Sequence, residues 1–373
     1  MKRIVVKVGT STLTGGAAGP DRVYINSLAA QVAAQRLAGR EVVLVTSGAI
    51  RAGLAGLGLT DKPRTIPEKQ AAASVGQSAL MGLYADVFAN YAITVGQVLL
   101  TRDDLRVRAR YVNARNTFEA LLRLGALPIV NENDTVATDE IKVGDNDTLA
   151  ALVASLLSAD ALVLLSDVDG LFDKNPAVHA DARLVEHVGA IDETVLAMAG
   201  GVGTRSGTGG MRTKLSAARI ATGSGAAMWI ANGRRPNVLA DCLAGVAGAG
   251  THFAPPTTTR PSAHKRWLAF ADEPKGAIIV NACARRALEE EGRSLLPVGV
   301  TGARGEFARG DLVSVADETG SVFARGVTRY TSGDVRRVAG RTTAALAHAL
   351  GRSPNDAAPP AEIIHRDQLA LGG

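Results

Sequence analysis

Six short apolar runs rich in β-branched residues, at 3–8, 41–46, 92–100, 126–130, 161–165 and 226–230, alternate with longer helical patterns. The helical stretches are 23–38, 67–90, 111–124, 148–157 and 211–224. Strand runs that are apolar at nearly every position, rather than every second one, are buried on both faces, and the helices between them supply the crossovers. The pattern predicts an α/β fold with a mostly parallel sheet sandwiched by helices. Near residue 254 it stops. APPTTTRPSA carries prolines that resist both a helix and a central strand, and it reads as a linker. Beyond it, GAIIV, LLPVGV, DLVSVA and SVFARGV are short β-like runs punctuated by glycine, with one short helix near 282–291. They predict a second, small, mainly β, barrel-like domain. The expected division is 1–254, a linker at 255–263, the small domain at 264–355, and a loosely attached tail at 356–373.

With 373 residues, 46% hydrophobic and 21% charged, the chain can bury a core of Val, Leu, Ile and Ala without disulfides. Its two cysteines, Cys242 and Cys283, have neither redox nor metal-ligand spacing, which suits a reducing, cytoplasmic setting. The N-terminal run is broken by Lys7 and lacks the apolar region and cleavage site of a signal peptide. No stretch reaches the roughly 18 apolar residues of a membrane span, so no membrane association is expected. A net charge of +5 is a mild bias for a chain this size and does not single out nucleic acid.

The site candidates lie in the loops that leave the strands. Neither the Walker pattern G-x-x-x-x-G-K-[ST] nor a complete G-x-G-x-x-G is present, which argues against P-loop enzymes and ordinary dehydrogenases. Three other glycine loops remain: KVGTST at 7–12, TSGAI at 46–50 and GTGGMRTK at 207–214. Each can be a plain turn. Together, two of them carrying a lysine, they favour phosphate and carboxylate binding at helix starts. The SDVDG turn at 166–170 lacks the spacing of a calcium loop and reads as a border to a nucleotide. The stretch NENDTVATDEIKVGDND at 131–147 packs six carboxylates and three asparagines behind the apolar run ALPIV, where open α/β sheets place ligands. Its segment 136–143 reads as a projecting hairpin. The six histidines show no metal spacing, and no G-x-S-x-G marks a hydrolase.

VVKVGTS, VTSGAI, NENDTVAT, IKVGDND and GTGGMRTK, in that order, resemble the glutamate 5-kinase family, a branch of the amino-acid kinases. LLTRDD, RYVNARNT, KRW and GVTRY extend the resemblance along nearly the whole chain, and the C-terminal part is similar to a PUA domain. The resemblance implies ATP-dependent phosphorylation of the side-chain carboxylate of L-glutamate to L-glutamyl 5-phosphate, the first step of proline biosynthesis, with Mg²⁺. It implies catalytic roles for Lys7, Lys214 and Asp147, the last organising the two lysines. It implies glutamate contacts at Ser47, Asp134 and Asn146. ATP contacts carry over to Lys7, Ser166, Asp167, Thr208, Gly209, Gly210, Met211, Arg212, Thr213 and Lys214. Ser166 stands where the family often has Thr, and either supplies a hydroxyl. No protein metal ligand and no role for Lys142 carry over, while Asp139 and Glu140 read as a solvated hairpin. The family also implies a homo-oligomer, a dimer or tetramer, and feedback inhibition by L-proline.

Kinases of acetylglutamate, aspartate, carbamate or UMP are the near alternatives, and the pairing of NEND with KVGDND favours glutamate. An RNA-binding protein is the alternative from another class, because PUA domains accompany RNA enzymes. Between His264 and Gly373 there are 15 Lys/Arg and 13 Asp/Glu, a difference of +2. That is a weak electrostatic footprint, and it leaves RNA binding by this domain open.

Overall fold

The computed structural model describes residues 1–17, 19–59, 63–137, 146–199, 210–256, 274–351 and 358–371. They cluster into two units: Met1–Leu105 with Ala109–Arg260, and Arg106–Arg108 with Pro261–Gly373.

The first unit is built around β1 (Arg3–Val8), whose residues Ile4, Val5, Val6 and Val8 are fully buried. After it come α1 (Thr10–Thr14), α2 (Arg22–Leu37), β2 (Glu41–Val45), α3 (Ala49–Gly56), α4 (Ile66–Ala89), β3 (Val95–Leu100), α5 (Arg102–Arg106), α6 (Arg108–Arg123) and β4 (Leu127–Glu132). The second half runs through α7 (Asn146–Leu156), β5 (Ala161–Ser166), β6 (His187–Val188), α8 (Glu193–Met198), α9 (Met211–Gly223), β7 (Ala227–Asn232), α10 (Val238–Ala244) and β8 (Thr251–Phe253). The strands form one sheet in the order β3-β4-β2-β1-β5-β7-β8-β6, parallel throughout except between β7 and β8. A layer of Leu28, Val32, Tyr84, Phe88 and Leu239 closes over one face. Each such side chain contributes about 1.5–3 kcal/mol through its removal from water.

Two glycines set the spacing beside the sheet. A Cβ on Gly53 of α3 would lie 1.7 Å from the carbonyl oxygen of Ala72 on α4, and one on Gly76 would lie 1.8 Å from that of Ala49. The helices therefore meet backbone to backbone. Gly53→Ala is expected to destabilise the protein by at least the roughly 1–3 kcal/mol of ordinary overpacking, because a main-chain atom cannot swing aside as a rotamer can. A urea midpoint unchanged from the parent would refute this account of the crossing.

The second unit holds a five-stranded sheet ordered β10-β9-β11-β12-β13: β9 (Gly276–Val280), β10 (Val300–Gly305), β11 (Leu312–Asp317), β12 (Val322–Val327) and β13 (Leu369–Leu371). Three helices, α11 (Ala282–Glu289), α12 (Ser332–Val338) and the one-turn α13 (Leu346–Ala349), join it. The run LLPVGV is not a strand. Pro297–Gly299 forms a 3₁₀ turn and only Val300 enters β10, since a proline cannot donate to a ladder. The last residues also differ from the expected loose tail. Ile363 and Ile364 are fully buried in the core with Ile278 and Val313, main-chain bonds link both to Leu295, and β13 pairs with β12. Two adjacent isoleucines and a three-residue strand are too short to show a periodicity, so polar neighbours dominate the sequence there. In the first unit, Val136 and Ala137 continue a turn, and the rest of the expected hairpin lies outside the described residues.

Candidate active site

β1 and β5 are parallel neighbours whose outgoing connections diverge: the chain leaves β1 towards β2 on one side and β5 towards β6 and then β7 on the other. Such a switch point opens a crevice at the C-terminal strand ends. There β1 delivers Lys7, and the N–H of Gly9 donates to the carbonyl of Leu165 at 3.1 Å. The first turn of α7 delivers Asp147 and the first turn of α9 delivers Lys214. Lys7 Nζ lies 2.5 Å from Asp147 Oδ1, and Lys214 Nζ lies 3.1 Å from Oδ2. The Thr213 hydroxyl also donates to Oδ2, at 3.3 Å. Asp147 is 1% exposed and each lysine 7%.

One carboxylate cannot neutralise two ammonium groups, so this buried cluster carries a net positive charge. Burial works to raise the Asp147 pKa, but attraction to Lys7 and Lys214 outweighs it and holds the group at about 2. Burial and the neighbouring Lys214 push Lys7 below an ordinary lysine, against the pull of Asp147. Asp147 is therefore an ionised brace at neutral pH and far too weak a base to take a proton from a substrate.

Asn146, next to Asp147, faces a second group. Its Nδ2 donates to Ser47 Oγ at 2.9 Å, to the carbonyl oxygen of Thr46 at 3.1 Å and to Asn131 Oδ1 at 3.1 Å. Its Oδ1 is buried without a hydrogen-bond partner among the described residues. Asp134 is half-buried in the turn after β4, and desolvation pushes its carboxyl up to about 6. Across the crevice, Ser166 ends β5 and donates to Asp167 Oδ1 at 3.1 Å. Gly210 caps α9, Met211 is half-buried and Arg212 exposed in its first turn, and Thr208, Gly209 and Lys142 lie outside the described residues. The structure thus joins Lys7, Asp147, Thr213 and Lys214 in one cluster and Ser47 with Asn146 in another, linked through adjacent residues of α7. Asn131 is a member that sequence reasoning left unassigned, although it opens the NEND string.

Three helices start at glycines beside the crevice. α1, α3 and α9 begin at Gly9, Gly48 and Gly210 with no side-chain cap, and Gly48 sits at φ +93°, a conformation that favours glycine. Of the other helices, α2, α4, α8, α11 and α12 are capped by Asp21, Thr65, Asp192, Asn281 and Thr331, while α10, starting after Asn237, also lacks a side-chain cap. Uncapped first-turn N–H groups are free to hold anionic oxygens. Among the described residues, no three His, Cys, Asp or Glu side chains converge as a metal site.

The amino acid kinase family model matches residues 2–232, and the PUA domain model matches residues 276–350. Glutamate 5-kinase of Moorella thermoacetica is 48% identical over 372 residues, spanning 100% of this chain and 97% of the relative. The chain belongs to the glutamate 5-kinase family. Another member, from Ralstonia nicotianae, is 47% identical over 370 residues, 99% of this chain and 97% of the relative. A carbamate kinase from Giardia lamblia bound to AMP-PNP shares the fold, with a TM-score of 0.51 at 15% identity, covering 68% of this chain and 98% of that one. The glutamate 5-kinase family thus accounts for both units of the chain. No helix among the described residues is long and apolar enough to cross a membrane.

Proposed function

We propose that the chain transfers the γ-phosphoryl group of ATP to the side-chain carboxylate of L-glutamate, giving L-glutamyl 5-phosphate, the first step of proline biosynthesis. The observation that carries this reading is the buried cluster of Lys7, Asp147 and Lys214, in which cations outnumber anions at a crevice ringed by uncapped helix starts. Phosphoryl transfer to a carboxylate brings two anions together. Fixed cations and N–H donors offset that repulsion and stabilise the charge spread over the transferring oxygens. The acceptor carboxylate is already ionised at neutral pH and its leaving partner, ADP, departs as an anion, so no general base is required. One P–O bond breaks and one forms, while Asp147 keeps both lysines in place.

In this reading ATP lies against Ser166, Asp167 and the start of α9 from Gly210, with Lys7 and Lys214 at the transferring group. Glutamate lies beside Ser47 and Asn146, with Asp134 opposite its α-ammonium. Mg²⁺ fits a site where no carboxylate cluster stands among the described residues, because that ion keeps several waters and is commonly held through phosphate oxygens. When bound it neutralises phosphate charge. The same reading extends to a cytoplasmic homo-oligomer, a dimer or tetramer, that responds to L-proline. Light scattering and an assay with added proline check those extensions.

With ATP, Mg²⁺ and hydroxylamine, free L-glutamate is expected to yield γ-glutamyl hydroxamate. Turnover of N-acetylglutamate or aspartate in place of glutamate would overturn the assignment. Asp134 adds a pH signature. Its carboxyl titrates at about 6, so kcat/KM for glutamate should fall as pH drops below 6 and the charge facing the ammonium is lost. Asp134→Asn should raise the glutamate KM roughly 10- to 100-fold, the worth of a charged hydrogen bond, and abolish that acidic limb. An acidic limb that persists in the variant removes Asp134 from ammonium binding.

A further inference from the structure

Helix α4 carries three polar side chains seven residues apart, Gln70, Gln77 and Tyr84, and two turns of helix return each to nearly the same face. Each meets a segment that ends a strand of the site. Gln70 Nε2 donates to the carbonyl of Ala137 at 3.3 Å, Asn131 Nδ2 donates to Gln77 Oε1 at 2.8 Å, and the Tyr84 hydroxyl lies 2.7 Å from Thr46 Oγ1. Gln77 is 9% exposed, Asn131 2%, and Tyr84 and Thr46 fully buried.

The direction of the hydrogen bonds through this stripe is fixed by the main chain at two points. The N–H of Glu132 can only donate, and it donates to Asn131 at 2.9 Å, so the atom it meets is Oδ1. Asn131 then has only its Nδ2 left for Gln77, which must answer with its oxygen. At the other end the carbonyl of Thr46 can only accept, so the Asn146 atom 3.1 Å away is Nδ2. Asn146 is left with Oδ1 as its free acceptor. The Nε2 of Gln77 has no partner among the described residues, so the acceptor half of the amide does the holding.

We propose that Gln77 is a positioning residue for the acceptor substrate: together with the main-chain groups of Glu132 and Thr46 it holds the amides of Asn131 and Asn146 in place, so that the pocket presents a hydrogen-bond acceptor to the ammonium end of glutamate. This rests on the reading of Asn146 as a glutamate contact. Gln77 touches no substrate. Without its oxygen, Asn131 Nδ2 is a buried unpaired donor, and that cost loosens the amide whose Oδ1 accepts from the N–H of Glu132 and from Asn146.

The test is steady-state hydroxamate kinetics on the full chain with Gln77→Met, Gln77→Glu and Asn146→Ala beside the parent. Gln77→Met is expected to raise the glutamate KM roughly tenfold, the worth of one buried hydrogen bond, with the ATP KM within about twofold of the parent. Gln77→Glu keeps an oxygen in place and should stay within about threefold of the parent. Should the Met variant not fold, Gln77→Asn withdraws the acceptor by one methylene and is expected to show the same rise. An unchanged glutamate KM in the Met or Asn variant overturns the proposal, as does an equal rise with Glu, which would make the role one of volume. A parent inactive on glutamate, or an Asn146→Ala variant with normal glutamate KM, defeats the underlying reading instead.

Discussion

Lys214→Ala is expected to lower kcat by roughly 100- to 1,000-fold, with little change in either KM and a cooperative unfolding transition retained. The size follows from where the charge acts. Lys214 Nζ is buried and held 3.1 Å from Asp147, so it is aimed before substrates arrive and undergoes little reorganisation as charge develops on the transferring group. In the variant Asp147 and Lys7 still form a neutral pair, so the folded state keeps a balanced core. Single-turnover measurements with preloaded ATP separate the chemical step from product release. A kcat within about threefold of the parent would remove Lys214 from the transition state.

Asp147→Asn should fail differently, through stability. It leaves two buried ammonium groups with no counter-charge, and removing one member of a buried ion pair costs about 3–5 kcal/mol. The pH dependence gives the effect a signature. In the parent, the Asp147 pKa is depressed to about 2 against 3.8, so its contribution is fully present above 3.8 and is lost as pH falls through about 2. In the variant, the folded state favours a neutral lysine, so it binds fewer protons than the unfolded chain and stability rises with pH on the alkaline side. Urea unfolding between pH 6 and pH 10 reads the variant's slope, and unfolding between pH 4 and pH 2 reads the parent's loss. A variant as stable as the parent at pH 7 would show that the cluster is not electrostatically coupled as its geometry implies.

Much of this architecture was legible in the sequence because its central strands are buried on both faces. Ile4, Val5 and Val6 leave no polar position to blur the run, and β1 spans Arg3–Val8 as the sequence predicts. Lys7, Asp147 and Lys214 were legible as motif positions, and their distances give those motifs a shared geometry. The rest was hidden for physical reasons. β6 and β8 have two and three residues, too few for any period to emerge. Gln77 lies 54 residues from Asn131 and stands in a helix where glutamine is an ordinary surface residue, so nothing local marks it. The C-terminal isoleucines sit beside charged neighbours that suggest solvent, yet the sheet edge takes them in.

The contact of α3 with α4 also bears on how this pocket can be altered. Gly53 and Gly76 leave no side-chain volume that a later substitution could trim or enlarge, so neither helix can shift without displacing the other. The loop preceding α3 carries Ser47, and α4 carries Gln77. Selection for a longer or shorter acceptor therefore cannot proceed by sliding these helices. If the acceptor lies beside Ser47 and Asp134 as proposed, such selection is confined to exchanges at the strand ends, at positions such as Ser47, Asn131 and Asp134, and the helix pair is a fixed ruler against which acceptor length is measured.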